Sequence, residues 1–224
     1  MTEDEARSWL KDYLSVSRGT QSLADDTWDR LEAFVGFLQR EASQQNLISA
    51  ATIDHIWSRH IVDSAQLLQF ATDGGPWLDL GSGAGFPGII VALLSTRPVT
   101  LVESRGRRID YLNRAIRLLD LEGSTTIAGM PVERLETAPY SVISARAFAP
   151  LPRLLELSQR FSTQNTLWLL PKGRNAVKEL HEAHGRWQLE FSVEPSVTDD
   201  EAGILVGKLL GERSRAPAKG QRKR

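Results

Sequence analysis

The sequence predicts an α/β fold: a seven-stranded, mostly parallel sheet whose last strand runs antiparallel, with a helical extension ahead of it. Three observations lead there. The first is the stretch Trp77-Leu78-Asp79-Leu80-Gly81-Ser82-Gly83-Ala84-Gly85-Phe86-Pro87-Gly88, which reads as a short buried strand, a glycine turn and the start of the apolar helix Ile89-Ile90-Val91-Ala92-Leu93-Leu94. The second is the alternation of apolar runs and amphipathic segments from Trp77 onward, the rhythm of a parallel sheet covered on both faces. The third is the end of the chain, where Gly185 and Thr198-Asp199-Asp200 leave little room for a crossover helix before the last two strands. An antiparallel hairpin is the natural closure.

Residues 5 to 70 read as helices. Trp9, Leu10, Tyr13 and Leu14 recur at helical spacing, and Trp28, Leu31, Val35 and Leu38 form an apolar stripe after the capping candidates Asp25 and Asp26. A third helix, over about 52–71, carries Ile53, Ile56, Trp57, Ile61 and Leu68, and the polar stretch Gln44 to Ser49 connects it to the second. Asp73-Gly74-Gly75-Pro76 then turns the chain into the sheet. Strands are predicted over 77–80, 99–103, 124–128, 140–145, 166–170, 187–193 and 204–210, and helices over roughly 88–95, 106–119, 151–161 and 174–184. The expected organisation is a helical extension over 1–72 packed on a core over 73–211, then a basic tail over 212–224.

At 224 residues and 41% hydrophobic content the chain can bury one substantial core with a small appendage. It has no cysteine, which excludes disulfides, cysteine-bound zinc and iron–sulfur clusters, and no metal is expected. The start, Met1-Thr2-Glu3-Asp4-Glu5, is acidic, and no later run is long enough to span a bilayer, so a soluble cytoplasmic protein, a monomer, is expected. The formal net charge of −1 argues against a generally basic nucleic-acid binder, yet charge is clustered locally. Arg105, Arg107, Arg108, Arg114 and Arg117 form one basic group and the tail from Arg213 another. Both suit contact with phosphates. A solvated helix face and a flexible tail account for them equally well.

The glycine stretch carries the chemistry. Its turn and the helix N-terminus behind it suit a nucleotide-like ligand with phosphate or carboxylate. Gly83, Gly85 and Gly88 formally satisfy G-x-G-x-x-G, but a dinucleotide site needs its first glycine directly after the strand, and Gly81 holds that place. The pattern is D-x-G-x-G-x-G, with Asp79 at the strand end, and it resembles the cofactor loop of S-adenosylmethionine (AdoMet) methyltransferases. An acidic residue there suits a ligand carrying an ammonium group. The strand Val99 to Glu103 ends in a second carboxylate, placed to accept both ribose hydroxyl protons. A purely structural glycine turn and a nicotinamide enzyme are the other readings. Seven strands ending in an antiparallel pair match the Rossmann-like AdoMet-methyltransferase sheet rather than the six-stranded dinucleotide sheet.

The acceptor follows partly from what is missing. Carbon attack on a pyrimidine needs a cysteine, and there is none. Exocyclic amines are usually served by an Asn/Asp-Pro-Pro-Tyr/Phe motif after the fourth strand, where this chain has Ser144-Ala145-Arg146-Ala147-Phe148-Ala149-Pro150. Guanine N7 has an in-plane lone pair and needs neither device. Asn46-Leu47, Arg59-His60-Ile61-Val62-Asp63-Ser64, the stretch Asp79 to Gly88, Val132-Glu133, Arg146 to Ala149 and Lys172-Gly173 together resemble the bacterial 16S ribosomal RNA guanine-N7 methyltransferase family, also called RsmG or glucose-inhibited division protein B. The resemblance spans about residues 40–210. It implies AdoMet as cofactor, 16S ribosomal RNA or the small-subunit particle as partner, and cofactor contacts at Gly81, Phe86, Val132, Glu133 and Arg146. Phe86 would pack on the cofactor and Val132-Glu133 lie beside its adenine, while Arg59, His60 and Lys172, the catalytic candidates, would face the acceptor. With the loop reading, the expected cofactor set is Asp79, Gly81, Gly83, Gly85, Phe86, Glu103, Val132, Glu133 and Arg146. A helical histidine beside Ile61 also fits a structural hydrogen-bonding role. Glu201-Ala202-Gly203-Ile204 departs from the family pattern, which often has a basic residue there. A methyltransferase of small molecules or proteins, and an AdoMet-binding regulator without turnover, remain the alternatives.

Overall fold

The computed structural model describes residues 1–17, 21–71 and 73–213. Most of the basic tail expected over 212–224 therefore lies outside the described residues. α1 (Glu3–Ser17) buries Ala6, Leu10 and Leu14, an i, i+4, i+8 stripe, and Trp9 stacks on Tyr13 at 5.6 Å between ring centroids. α2 (Gln21–Ala42) buries Leu31, Phe34 and Leu38. Because α2 already begins at Gln21, Asp25 and Asp26 lie within it rather than capping it, and Asp26 pairs with Arg30 at 3.6 Å.

The single helix expected over 52–71 is a chain of short pieces. A 3₁₀ turn at Ala50–His55 leads into a π-helical turn at Trp57–Val62, the short α3 (Asp63–Ala65) and a second 3₁₀ turn at Gln66–Gln69. Apolar periodicity cannot separate these hydrogen-bond patterns, since each buries one face. What fixes the break is tertiary: the Glu3 carboxylate of α1 accepts from the N–H groups of Trp57 and Ser58 at 2.9 and 2.8 Å and pins the start of the π turn. Such wide turns concentrate at functional sites. This one carries Arg59 and His60.

The strands are β1 (Trp77–Leu80), β2 (Val99–Val102), β3 (Thr125–Ala128), β4 (Val142–Ala145), β5 (Leu167–Lys172), β6 (Trp187–Pro195) and β7 (Gly203–Glu212), in the order β3-β2-β1-β4-β5-β7-β6. β1 to β5 pair in parallel, and β7 runs antiparallel between β5 and β6. Every expected strand is present, and so is the closing hairpin. Side chains alternate across the sheet: Trp77 joins a core with α1, α2, α4 (Gly88–Leu94) and α5 (Gly106–Leu118), whereas Leu78 and Leu80 face α6 (Leu151–Ser158) and α7 (Ala176–Ala183). α4 is buried along its whole length, as a helix between the sheet and the N-terminal helices must be. Each of its buried Ile and Leu side chains contributes about 1.5–3 kcal/mol of burial. The N-terminal helices thus share their core with one face of the sheet.

Candidate functional site

Chain order reverses between β1 and β4, and in such sheets a crevice opens there at the carboxyl ends of the strands. It has a volume of about 430 Å³ and is lined by Gly81, Gly83, Phe86, Glu103, Val132 and Arg146, among others. Gly81 turns the chain with φ +69°, and a Cβ there would lie 2.4 Å from Cδ2 of Phe148, so only glycine leaves this wall in place. Glu103 is buried, and its Oε1 accepts from the N–H groups of Ser104 and Arg105 at 2.7 and 2.9 Å. Its Oε2 accepts from the Gly83 N–H at 3.2 Å, with Arg108 3.7 Å away. A carboxylate offers about four lone-pair sites, so Oε2 retains acceptor capacity on the crevice wall. An acceptor there, beside the apolar Val102, Met130 and Val132, suits a ribose diol joined to a purine.

Asp79 belongs to the loop but not to the crevice. It is wholly buried, in register with Ser144 on β4, and its Oδ1 accepts from Ser144 Oγ at 2.7 Å. Ser144 Oγ accepts in turn from Trp77 Nε1 at 2.7 Å, and Asp79 Oδ2 takes the N–H of Gly88 at 3.3 Å. Burial pushes this carboxyl above the usual range, opposed by the hydrogen bonds of Ser144, Ser82 and Gly88. The residue expected to meet an ammonium group instead clamps the first turn of α4 to the sheet. The clamp is close: a Cβ on Gly88 would fall 2.2 Å from Leu101 and 2.8 Å from Asp79 Oδ2.

A second crevice, of about 580 Å³, lies beside the first and shares with it the wall Arg146-Ala147-Phe148 at the end of β4. Ala147 holds φ +53°, a conformation rare outside glycine and concentrated at functional sites. Arg146 Nη1 donates to the carbonyl of Arg59 at 3.0 Å and to Asp63 Oδ2 at 3.3 Å, and its Nη2 donates to His60 Nδ1 at 3.0 Å. The guanidinium stands over Phe86 at 5.0 Å, and the imidazole of His60 stacks on the same ring, also at 5.0 Å. Burial draws Arg146 below its ordinary value while Asp63 opposes it. Since arginine can only donate, Nδ1 of His60 must accept, which assigns its proton to Nε2, and Nε2–H donates to Thr52 Oγ1 at 3.0 Å. Burial first, then the charges of Arg146 and Arg59, pull His60 down to about 3, so the ring is neutral at pH 7.

Arg59 and Lys172 complete the second crevice, each held by a carboxylate: Arg59 by Asp199 at 2.7 Å, Lys172 by Glu179 at 2.9 Å. The structure therefore brings Arg59, His60 and Lys172 to one crevice and Gly81, Gly83, Phe86, Glu103 and Val132 to the other, with Arg146 in both. Gly85 lies under the loop, where a Cβ would meet Ile89, rather than in the crevice lining. The Glu133 side chain does not line the crevice either: it is about half exposed and lies 3.8 Å from Arg153. Of the first basic group, Arg114 pairs with Glu41 at 2.6 Å, while Arg105, Arg107 and Arg108 line a third groove with Gln44, Gln45 and Asn46. Glu201, where a basic residue was the family expectation, pairs with Arg174. Three site residues were missed as such. Asp63 lies four positions after Arg59, a spacing that places both on one side of a helix, and Phe148 sits inside the Arg-Ala-Phe-Ala segment. Thr52 carries no sequence signal.

Comparison with known proteins establishes the fold and the family. Among solved structures, a putative S-adenosyl-L-methionine-dependent methyltransferase from Methanococcus maripaludis superposes with a TM-score of 0.57 over 77% of this chain and 93% of its own, at 14% identity. A putative O-methyltransferase from Klebsiella pneumoniae gives 0.55 over 80% and 89%, also at 14% identity. At that distance the likeness establishes the fold. Closer relatives exist in sequence: ribosomal RNA small subunit methyltransferase G of Rhizorhabdus wittichii is 50% identical over 99% of both chains. The protein of the same name from Sphingopyxis alaskensis is 54% identical over 92% of this chain and 85% of its own. Residues 27–203, which hold the glycine loop, the shared wall and the π turn alike, match one family throughout, and the chain belongs to it: rRNA small subunit methyltransferase G.

Proposed function

We propose that this chain transfers the methyl group of S-adenosylmethionine to N7 of a guanine in 16S ribosomal RNA, with the donor in the first crevice and the guanine in the second. Methylation of ribosomal RNA with AdoMet as donor follows from family membership. The choice of N7 is carried by one observation: His60, the imidazole beside the shared wall, has both ring nitrogens engaged and is neutral. Asp63 and Glu179, the carboxylates that line the same crevice among the described residues, are ion-paired with Arg146 and Lys172, and a site whose bases are all engaged suits an acceptor that attacks in its neutral form. In this reading the helical extension over 1–72 contributes Arg59 and His60 to the acceptor crevice, the core over 73–211 contributes Arg146 and Lys172 to the same crevice, and Gly81 and Glu103 of the core line the donor crevice.

The bound cofactor supplies an electrophilic methyl on a sulfonium, and what remains for the protein is alignment and charge. Glu103 would hold the ribose, Gly81 would admit the donor's main body to the loop, and Phe86 with the Arg146 guanidinium above it would close the side toward the acceptor. N7 becomes cationic as the bond forms. The cations of the acceptor crevice are each paired, Arg146 with Asp63, Arg59 with Asp199 and Lys172 with Glu179, so the developing charge does not face uncompensated positive charge. Among the described residues no helix is long and apolar enough to cross a membrane.

Two expected results test this reading. Glu103→Ala removes charge-assisted hydrogen bonds to the ribose and is expected to weaken AdoMet binding by roughly 1.5–3 kcal/mol. An unchanged Kd by calorimetry in the folded variant would move the ribose contact elsewhere. His60→Gln is expected to lose less than the roughly 10²–10⁴-fold that follows removal of a true general base, with single-turnover rates flat through pH 6–7 in both proteins. The same substitution alters acid stability. The unfolded chain binds a proton near 6.5 and the folded one only near 3, so the stability linked to His60 is complete above 6.5 and is lost as pH falls toward 3. The stability–pH curve of His60→Gln should therefore be shallower over that window. Nucleoside mass spectrometry of methylated RNA decides the position: a methyl group on N2, on a ribose oxygen or on adenine overturns N7.

A further inference from the structure

We infer that Thr52 is a positioning residue for methyl transfer: it fixes the His60 tautomer that holds the Arg146 guanidinium in the wall between the two crevices. The inference rests on the reading that these crevices hold donor and acceptor. Its basis is a proton inventory. Arg146 Nη2 has only protons to offer, so His60 Nδ1 must present a lone pair, and the imidazole proton must sit on Nε2. That buried N–H needs an acceptor, and Thr52 Oγ1 lies 3.0 Å from it. Thr52 can accept there because its own proton has another destination, the carbonyl of Ser49 at 3.0 Å. Ser49 Oγ, 3.1 Å from Thr52 Oγ1, adds a second tie. The chain of donors thus runs in one direction, from Arg146 to His60 and separately from His60 through Thr52 to Ser49.

Removal of the Thr52 oxygen strands the His60 proton in a buried place. Left on Nε2 the proton has no partner, and moved to Nδ1 it meets the Nη2–H of Arg146, donor against donor, so either tautomer forfeits one hydrogen bond. In the second case Arg146 would have to give up this bond and keep only its contacts to Asp63 and the Arg59 carbonyl. A 180° flip of the ring would keep the stack on Phe86 but set Cδ2, which has no lone pair, opposite Arg146 Nη2, so ring rotation is a poor escape. The consequence falls on alignment, because Arg146 lines both crevices. Thr52 lies on the 3₁₀ turn Ala50–His55, outside the π turn that carries Arg59 and His60, and it also lines the second crevice, so the ring-nitrogen spectrum is the readout that separates an effect through the imidazole from direct contact with the acceptor.

The direct test is the ring-nitrogen NMR spectrum of 15N-histidine-labelled full-length protein without substrate, with His60 assigned by comparison with His60→Gln. The wild type is expected to show a protonated Nε2 and an unprotonated Nδ1, and Thr52→Val a shift of the proton toward Nδ1. With 16S ribosomal RNA and AdoMet, Thr52→Val should lose roughly tenfold or more in kcat, the range that one stranded buried donor can produce, with a smaller change in KM for either substrate. Thr52→Ser keeps the oxygen and should recover both the tautomer and most of the rate. A wild-type spectrum with the proton on Nδ1 overturns the inference, whatever the variants do and even if Thr52→Val fails to fold. So does a Thr52→Val rate within about twofold of wild type, or a Thr52→Ser variant as slow as Thr52→Val, which would assign Thr52 to packing alone. Because the spectrum is read without substrate, a failure here is distinct from a failure of the N7 assignment, which nucleoside mass spectrometry reads.

Discussion

Arg146→Ala is expected to lower the single-turnover methylation rate by about 10²-fold or more while the protein still folds. The side chain lies in the wall common to both crevices and is fixed there from three directions: the Arg59 carbonyl, Asp63 and His60. Its removal takes away the face common to both crevices, which on the proposed reading meets donor and acceptor together, and a displacement of even 1 Å in such an alignment costs about 10²-fold. The loss should appear mainly in kcat, because Glu103 and the glycine loop, which serve the donor in this reading, are untouched. Stability should fall by about 1–3 kcal/mol, since Asp63 Oδ2 and the buried Nδ1 of His60 lose their bonds to the guanidinium. Arg146→Lys separates charge from shape. A lysine restores the cation but cannot bond Asp63, the Arg59 carbonyl and the imidazole at once, so only part of the rate should return. A folded Arg146→Ala variant within about threefold of wild type would remove Arg146 from the reaction, because loss of alignment on this scale exceeds that margin.

The sheet was legible because its signals are local. β1 is bounded by Pro76 and Gly81, and the β6–β7 closure follows from the shortness of the Thr198-Asp199-Asp200 connection. Segments ruled by distant contacts were not legible. The interrupted helix over 50–69 owes its π turn to Glu3, far away in sequence, and periodicity has no access to such a partner. Asp79 shows the same limit at the site: its position at the strand end marks the loop, but whether the carboxylate faces ligand or core depends on its register with Ser144 and on the missing side chain of Gly88. Glu133 was placed by motif, and its side chain instead turns to Arg153 on α6. The pairing of Arg146 with His60 across the shared wall required coordinates, although both residues stood out in the sequence.

Gly81→Ala is expected to weaken AdoMet binding by at least about tenfold and to cost about 2–4 kcal/mol of stability, both by one intrusion. At φ +69° an alanine is strained by roughly 1–2 kcal/mol, whatever space surrounds it. Space is also lacking, because the new Cβ would lie 2.4 Å from Cδ2 of Phe148 and 3.2 Å from its Cγ. Phe148 lines both crevices, so its displacement deforms the two together. Gly83→Ala isolates the backbone strain. Gly83 has a similar backbone, φ +56°, but the nearest atom to a Cβ there is Nη1 of Arg108 at 3.4 Å, the end of a long side chain that can move aside. Gly83→Ala should therefore carry the backbone strain and little else, with a comparable first part of the stability loss and a much smaller change in Kd. Calorimetric titration of AdoMet into both variants, with thermal unfolding of each, reads the two contributions apart. Equal losses of affinity would show that strain in the loop, and not the wall formed by Phe148, governs access to the donor crevice.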